Sequence, residues 1–548
     1  MASDTTSGTK GVFLRQSSGV VRAMSPRDGM YFGYLSAAGL YGVTLFFFLG
    51  PGEFPGGSVL VACLLNLLIG LFIFGAYAML GSAMPRSGGD YVYQSRLLSP
   101  VLGFTATFAG LAFWQFFYAF LAASTIVTGG LVPLFSGIGA MTGDHGWISA
   151  ANWLANSHVE LAFTIVFLLI SAVIMIRGMR LYLGIQKYFM MAFTLLAIVI
   201  IAIGWLVVSH STFVANFNKF EHAVGGLSAT QVVSKAAALG YHQHVPFSWG
   251  NTLALTALLG IGSYLSCMWQ TELLGEMKSA RNLGRLFASM MGAAVLLTIT
   301  YLIAFVWTYA YVGQPLMGSF SFLAFGHSTV LGGGWAFRGV QSFFLIPTLN
   351  VVLAILIFLG FLGPISQSMF NTTLASSRIY LSQSFDRVLP AWMGQVNKRG
   401  APANAIWFGT AISIALAVVF LFRPSLTEAL AAGYMFLTLG LMWSLLGAIV
   451  FPYRMKETYE ASPASRFKVG SIPLISILGV VGFAFMIFTV VEFLTQSAFG
   501  ILSGTAAVSW ITAGILVAVT LAYYFVISAV RKRAGIDLRW AFQTVPPE

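Results

Sequence analysis

Two short stretches rich in small residues interrupt long apolar runs, and there the backbone itself could do chemistry. They are residues 36–42 (SAAGLYG) and residues 260–266 (GIGSYLS). Glycine weakens a helix by about 1 kcal/mol relative to alanine. If each helix unwinds there, its free amides would attract a carboxylate, and its free carbonyls would attract an ammonium group or a cation. A zwitterion carries both groups. Close helix packing through small residues is the alternative interpretation.

Neutral polar side chains elsewhere extend this candidate site. Gln115 and Thr372 could face a ligand, and Asn371, Thr372 and Thr373 could supply oxygens to a sodium ion. Each has a structural alternative, because buried amides make packing hydrogen bonds and hydroxyl groups often bond to their own helix. The candidate binding residues on the two interrupted stretches are Ser36, Ala37, Ala38, Gly39, Gly42, Gly260, Gly262, Ser263 and Tyr264.

Ionisable residues are rare within the apolar runs and cluster at their ends. A charge placed inside a membrane costs about 3 kcal/mol on insertion scales. Glu272 and Glu276 lie at the inner end of one run, and Arg86 and Arg378 are candidate ion-pair partners. We expect these four residues to form an inner gate; an ordinary interfacial salt bridge is the alternative. The near absence of charged residues in the middle of the apolar runs favours a neutral or apolar ligand.

The composition determines the class of protein to which these residues belong. The chain has 548 residues, of which 58% are hydrophobic and 8% charged, and its mean hydropathy is +0.85. Soluble domains are about one quarter charged. The formal charge of +12 is spread in short basic clusters between apolar runs. These values exclude soluble, secreted and nucleic-acid-binding proteins and predict an all-α integral membrane protein.

Twelve transmembrane helices are predicted, since a membrane-spanning helix needs about 20 mostly apolar residues. The third and eighth are too long for one straight span, so we expect them to tilt or to extend into water. The predicted spans are residues 30–50, 57–83, 101–134, 160–177, 187–209, 250–272, 286–312, 346–380, 404–422, 426–451, 472–495 and 506–530.

The basic residues predict the orientation of the chain. An even number of spans places both termini on one side. If that side is cytoplasmic, 24 of the 28 Lys and Arg residues lie inside, and only Lys219, Lys235, Arg338 and Arg423 lie outside. This asymmetry predicts a multi-pass protein of the cell membrane with both termini in the cytoplasm. Basic inner loops also favour anionic lipid headgroups as partners.

The positions of the two interrupted helices suggest an internal symmetry. Helix 1 runs from inside to outside and helix 6 from outside to inside, which predicts a five-plus-five inverted repeat with discontinuous helices 1 and 6. The predicted organisation is a basic N-terminal segment (1–29), a first repeat (30–209), an extracellular loop (210–249), a second repeat (250–451), helices 11 and 12 (452–530) and a cytoplasmic tail (531–548).

Three segments on predicted inner loops resemble one known family, the amino acid–polyamine–organocation (APC) permease superfamily. They occur in the family's order and together make the resemblance specific. The segments contain Met84-Pro85-Arg86-Ser87-Gly88-Gly89-Asp90-Tyr91, then Gly275-Glu276-Met277-Lys278, and then Asp386-Arg387-Val388-Leu389-Pro390.

The resemblance implies a fold and a site. It implies twelve helices, ten of them in inverted repeats, and an amino acid or related amine as substrate. The substrate carboxylate would meet backbone amides around residues 36–39, and its ammonium group would meet carbonyls around residues 260–263. The family's gating aromatic would fall near Gly262, where the nearest aromatic residue is Tyr264. Some proton-coupled members of the family carry a lysine on helix 5. The corresponding position here lies near Phe193, so the resemblance does not imply a lysine-based coupling mechanism.

Together these observations predict a secondary-active amino acid permease that works by alternating access, with a neutral or apolar amino acid as substrate. A transporter-like nutrient sensor and a permease for a polyamine or another organic cation remain alternatives. An enzyme is not expected, because paired titratable groups near a cavity are lacking in the pattern. No cofactor and no nucleic-acid partner are expected. A coupling ion, either sodium or a proton, is left open, as is the oligomeric state.

Overall fold

The computed structural model describes residues 19–243, 245–332, 341–347, 349–422, 430–499 and 507–542, and this part of the chain is almost entirely helical. Eleven of its helices are long and apolar enough to cross a membrane. Helix 1 is broken into pieces of 11 and 15 residues. Together with it, the eleven helices account for the twelve predicted spans. The predicted class, an all-α integral membrane protein, is confirmed.

The first five membrane helices include the broken helix 1. Their bounds are Pro26–Ser36 (helix 1a) and Gly39–Glu53 (helix 1b), Val59–Ala83 (helix 2), Pro100–Thr142 (helix 3), Ser157–Ile176 (helix 4) and Met179–Val207 (helix 5). The other seven are Trp249–Gly262 and Tyr264–Glu272 (helices 6a and 6b), Leu283–Val312 (helix 7), Val351–Phe385 (helix 8), Ala403–Leu421 (helix 9), Leu430–Arg454 (helix 10), Leu474–Thr495 (helix 11) and Ala507–Arg533 (helix 12).

Shorter elements connect these helices. On the predicted inner side they are Gly89–Leu97 (the 2–3 loop helix), Leu274–Glu276, Ala391–Gly394, Lys456–Glu460, Pro463–Arg466 and Leu538–Phe542. On the predicted outer side they are His145–Leu154, His210–Val224, Ala229–Ala238, Gln314–Gly326, Ser328–Leu331, Gln341–Leu345 and Ser497–Phe499. Strands Lys468–Val469 and Ile472–Pro473 form a small antiparallel hairpin before helix 11.

Helices 3 and 8 are long, as predicted, but their bounds differ from the expected ones. Helix 3 extends to Thr142, and two π-helical turns, Ala106–Ala112 and Val127–Leu131, interrupt it. Helix 8 is 35 residues long and begins and ends five residues later than predicted. Helices 5 and 7 also contain π-helical turns. Such turns often lie at functional sites because they leave backbone groups without their usual partners.

Both predicted interruptions are present. Helix 1a ends at Ser36, and helix 1b begins at Gly39 after Ala38, whose φ of 64° is left-handed. An alanine is strained there, so the surrounding structure must hold it. Helix 6a ends at Gly262, and Ser263 leaves the helical region with φ −143°. Helix 6b then continues for nine residues as a 3₁₀-helix, whose runs seldom exceed four. The discontinuous architecture is therefore confirmed.

The helices pack in two groups that meet at the breaks. Helices 1, 2, 6 and 7 contact one another, with helix 1a on helices 6b and 7. Helices 3, 4, 8 and 9 form a second group, with helix 5 beside helix 8 and helix 10 against helix 3. The 2–3 loop helix packs on helices 8 and 10. The repeat and domain boundaries given above stay predictions, and residues 1–18 and 543–548 lie outside the described part.

A buried ion pair fixes the 2–3 loop helix to the end of helix 8. The Arg96 guanidinium lies 2.6 Å from the Asp386 carboxylate, and neither side chain is exposed. The Tyr91 hydroxyl donates to the same carboxylate at 2.9 Å. Removing one partner of such a pair leaves an uncompensated buried charge, at a cost of about 3–5 kcal/mol.

Asp386→Asn is therefore expected to lower the free energy of unfolding by about 3–5 kcal/mol, because Arg96 would remain buried without a counter-charge. A clear fall in the thermal midpoint of the detergent-purified protein would show this. Glu460→Gln is the matched control, since its pair with Lys456 is 3.8 Å long and mostly exposed. Equal midpoints for the two variants would contradict the assignment.

Candidate substrate site between the broken helices

The two helix breaks lie against each other in the middle of the bundle. The Ser263 hydroxyl donates to the carbonyl oxygen of Ala37 at 2.6 Å. The same hydroxyl lies 2.6 Å from the hydroxyl of Tyr301 on helix 7. A serine has one proton to donate, so Tyr301 is the donor in the second bond. The structure thus brings together residues that lie 226 positions apart in the sequence.

Each break leaves main-chain groups without an α-helical partner. The first intrahelical bond of helix 1b runs from Gly42 to Ala38, so the amides of Gly39, Leu40 and Tyr41 precede it. At the other break, the capping amide of Ser263 bonds to Leu259, so the carbonyls of residues 260–262 follow the last α-helical acceptor. The helix 1b amides carry partial positive charge, and the helix 6a carbonyls carry partial negative charge.

Helix 8 supports the break in helix 1. Gln367 donates to the Ser36 hydroxyl at 3.3 Å and accepts from the Tyr182 hydroxyl of helix 5 at 2.7 Å. Gly39 has a φ of 43°, and a Cβ there would lie 3.2 Å from the Pro364 ring. A Cβ on Gly42 would lie 2.4 Å from the Tyr301 hydroxyl. Glycine is required at both positions because the backbone conformation or the close approach excludes a side chain.

A set of tyrosine hydroxyls near the breaks was missed by the sequence reasoning. Tyr118 of helix 3, Tyr434 of helix 10 and Tyr41 of helix 1b lie near one another and near Tyr301 of helix 7. Through Tyr301, which bonds to Ser263, these hydroxyl groups lie beside the breaks. Tyrosines within apolar helices were the only available signal, because the partners are distant in the sequence.

The remaining predicted binding residues occupy different surroundings. Gln115 is buried, and its side-chain oxygen has no hydrogen-bond partner within the described part of the chain. Thr372 and Thr373 donate to carbonyls of their own helix, and the buried Asn371 side-chain oxygen has no partner among the described residues. Their ligand roles stay predictions. No group of three His, Cys, Asp or Glu residues that could hold a metal occurs among the described residues.

Two predicted residues on helix 6 contact neighbouring helices. A Cβ on Gly260 would lie 2.8 Å from Asn66 of helix 2 and from Phe485 of helix 11, so this glycine allows close helix packing. The Tyr264 hydroxyl bonds to Thr298 of helix 7 at 2.7 Å. Gly262, by contrast, is partly exposed at the end of helix 6a.

The predicted inner end of the bundle is closed by backbone and side-chain contacts. Met24, just before helix 1a, pairs with the chain after helix 6b through its amide to Glu276 at 3.0 Å and its carbonyl to Lys278 at 2.8 Å. Gly88 donates to the carbonyl of Glu272 at 2.9 Å. Helices 1a and 6b and the 2–3 loop therefore form a single inner seal.

Two of the four predicted inner-gate residues form an ion pair. The Arg378 Nε of helix 8 lies 2.6 Å from the Glu276 carboxylate, and each side chain is 1% exposed. Arg86 donates to the carbonyl of Pro85 at 3.2 Å. Contrary to the expectation, Glu272 forms no ion pair with an arginine of the described part of the chain. Its carboxyl oxygen instead accepts from the amide of Asp90 at 3.2 Å, because the turn at residues 87–89 places the start of the loop helix on the end of helix 6b.

Comparisons with known proteins give a consistent result. A sequence profile described as "Amino acid permease" matches residues 32–498. The branched-chain amino acid permease BcaP of Lactococcus lactis subsp. cremoris (strain MG1363) is 22% identical over 446 residues, covering 79% of this chain and 82% of BcaP. The crystal structure of MhsT in complex with L-phenylalanine has a TM-score of 0.52 and 16% identity, covering 87% of this chain and 99% of MhsT. At that identity the similarity shows a shared fold alone.

The inner seal can be tested with a native cysteine. Cys267 lies on helix 6b and is fully buried, and Cys63→Ala would leave it as the one cysteine of the chain. Arg378→Met removes the partner of Glu276, and the resulting buried charge disfavours the closed seal by about 3 kcal/mol. We expect Cys267 to react with N-ethylmaleimide at least about tenfold faster in this variant.

Lys456→Met is the control for the labelling experiment, because Lys456 is exposed on the inner loops. It should leave the labelling rate unchanged. An unchanged rate in an Arg378→Met protein that elutes as a folded species in size-exclusion chromatography would show that the pair does not hold the seal.

Proposed function

Because this chain belongs to the amino acid permease family, we propose that it is a secondary-active amino acid transporter that moves a neutral or apolar amino acid by alternating access. The observation that carries the proposal is the junction of the two breaks through Ser263 and Ala37. It sets the amide end of helix 1b and the carbonyl end of helix 6a at one place in the bundle.

The opposite polarity of the two ends fits a zwitterion. The free amides at Gly39, Leu40 and Tyr41 would bind the substrate carboxylate, since a helix N-terminus favours an anion. The carbonyls of residues 260–262 would bind the ammonium group. The sequence predicts carboxylate-binding amides around residues 36–39, whereas the amides proposed here are those of residues 39–41, because the Ala37 amide bonds to Gly33. The arrangement needs no charged side chain at the site.

The surroundings of the breaks favour a neutral or apolar substrate side chain. Among the described residues, the polar groups near the breaks are hydroxyls and amides, such as those of Tyr301 and Gln367, and not carboxylates or cations. The relative BcaP is named as a branched-chain amino acid permease, and MhsT was crystallised with L-phenylalanine. Both names agree with an apolar substrate.

Alternating access would use the two groups of helices described above. Helices 1a and 6b close the inner end in this structure, and the breaks above them act as hinges. A glycine or a left-handed residue at each hinge lets the inner half-helix rotate while the outer half remains packed. The sealed inner face and the ion pair between Arg378 and Glu276 would then open once in each transport cycle.

Several finer properties remain part of this proposal. The chain is a multi-pass membrane protein; the cell membrane as its location and the cytoplasmic termini follow from the distribution of basic residues.

A cavity of about 590 Å³ between helices 2, 7 and 11 has apolar walls and carries Arg281 and Arg466, which suits an anionic phospholipid. Sodium or a proton would supply the driving force.

Uptake into proteoliposomes tests the proposal directly. We expect the purified protein to accumulate a radiolabelled branched-chain or aromatic amino acid when a sodium or proton gradient is imposed. Unlabelled neutral amino acids should compete, and polyamines should not. Protein-free liposomes are the control. Binding without uptake would identify a nutrient sensor, and competition by polyamines would identify an organic-cation permease; either result would refute the proposal.

A matched pair of glycine variants tests the site. Gly42→Ala places a methyl group 2.4 Å from the Tyr301 hydroxyl, so Tyr301 must move away from Ser263. Uptake should fall at least about tenfold, since misplacement by about 1 Å can cost two orders of magnitude. Gly514→Ala is the control, because nothing lies within 4 Å of a Cβ there. Normal uptake by a folded Gly42→Ala protein would contradict a site at the breaks.

A further inference from the structure

Two buried carboxyl groups contact each other at the inner seal, away from the helix breaks. Asp90 opens the 2–3 loop helix and is 2% exposed, and Glu272 ends helix 6b and is 3% exposed. The Asp90 amide donates to Glu272 Oε1 at 3.2 Å, which places the two carboxyl groups side by side. Two neighbouring carboxylates cannot both be ionised in a buried site, because their repulsion adds to the cost of desolvation.

The neighbouring groups solvate Asp90 but leave Glu272 short of partners. The Tyr77 hydroxyl donates to Asp90 Oδ1 at 2.8 Å, and the Ser444 hydroxyl donates to the same atom. Glu272 Oε1 accepts from the Asp90 amide, whereas Oε2 is buried and has no hydrogen-bond partner within the described part of the chain. A bare carboxylate oxygen is costly in such a place, and a proton on Glu272 removes the charge.

The charged groups around the pair do not neutralise it. The nearby cations have other contacts: Arg378 pairs with Glu276 at 2.6 Å, and Arg96 pairs with Asp386 at 2.6 Å. Burial raises the pKa of Asp90 above its usual range. Other titratable and charged groups lie on the elements packed around the pair. From helix 2 and the 2–3 loop these are Tyr77, Arg86, Tyr91, Tyr93 and Arg96. After helix 6b they are Glu276 and Lys278, and at helix 8 and its end they are Arg378 and Asp386.

The pair also bridges the two groups of helices. Asp90 is held on helix 10 through Ser444, and Gln94 of the same loop helix donates to the carbonyl of Gly440 at 2.9 Å. Glu272 lies on helix 6b, which packs with helix 1a. An opening of the inner seal that moves helix 6b away from the 2–3 loop helix separates the two carboxyl groups.

We propose that Asp90 and Glu272 form a proton-binding site, in which one shared proton holds the inner face closed and leaves when that face opens. On separation the O–H bond of the carboxylic acid breaks, the electron pair stays on the carboxyl oxygen, and the proton passes to water at the inner face. Once they are separated and hydrated, Asp90 and Glu272 are ordinary ionised carboxylates. This inference rests on the proposed function only in treating the inner seal as a moving gate.

The consequence is a seal that depends on pH. At low pH the shared proton is present and the closed seal is stable. As the pH rises, the closed state must either release the proton and hold two buried charges or open, so the open state becomes more populated. A neutral amide in place of either acid can keep the hydrogen bond without the shared proton. Either substitution should therefore remove the pH dependence of the seal.

The experiment measures N-ethylmaleimide labelling of Cys267 in the Cys63→Ala protein, and it needs no substrate or transport. The labelling rate of the Glu272→Gln variant in the same background is the reference. The thiol itself becomes more reactive as the pH rises, and dividing the parent rate by the reference rate removes that change. From about pH 5 to about pH 9 the ratio of the parent rate to the Glu272→Gln rate should rise at least about fivefold. A ratio independent of pH would overturn the proposal.

Two further variants complete the test. Asp90→Asn should behave like Glu272→Gln, and it keeps the inference testable if one variant fails to fold, as judged by size-exclusion chromatography. Glu160→Gln is the matched control, because Glu160 is another buried carboxyl but lies on helix 4 against Ser124. It should retain the pH dependence of the parent. Loss of that dependence in Glu160→Gln alone would assign the proton to a different carboxyl group and refute the site.

Discussion

A backbone group that loses its helix partner inside a bilayer must find another partner, and this constraint governs the whole molecule. The chain breaks two membrane helices and places the breaks together, so the freed groups lie at one site instead of facing lipid. One of them, the Ala37 carbonyl, is satisfied within the protein by Ser263. The amides at the start of helix 1b and the last carbonyls of helix 6a are the groups that we propose bind the substrate. The surrounding side chains, Gln367 and Tyr301 among them, hold the strained segments in place.

The inner seal is built on a different principle from the central site. The centre uses main-chain dipoles, which carry no net charge, whereas the seal concentrates charged side chains at the end of the bundle. Glu276 has the guanidinium of Arg378 as its partner, whereas Glu272 accepts from the Asp90 amide and lies beside that residue's buried carboxyl group. A buried ion pair needs no proton, but a buried pair of acids does. Glu272 and Glu276 therefore contribute to the same seal in ways that respond differently to pH.

The sequence was sufficient for the helical class, the number of spans and the two breaks, because hydropathy and glycine content act locally. It also placed Arg378 and Glu276 among the gate residues. It did not predict the contact between Asp90 and Glu272, which lie 182 residues apart, or the role of Tyr301, since both depend on how distant helices pack. Gly260 fits the alternative that the sequence left open, since its small size allows close packing on Asn66 and Phe485. The extension of helix 3 was missed because hydropathy reports burial in the membrane and not where a helix ends.

The 3₁₀ conformation of helix 6b connects the central site to the seal. A 3₁₀-helix rises about 2.0 Å per residue and an α-helix about 1.5 Å, so nine residues differ in length by about 4 Å between the two forms. Helix 6b begins beside Ser263 and ends at Glu272. A change of this segment towards α-helix would therefore draw Glu272 away from Asp90 while helix 6a stayed packed on helix 2. Substrate bound at the break, as proposed, would act on the first turn of helix 6b, and the proposed proton site would act on its last turn. Helix 6b would then couple the occupancy of the centre to the closure of the inner face.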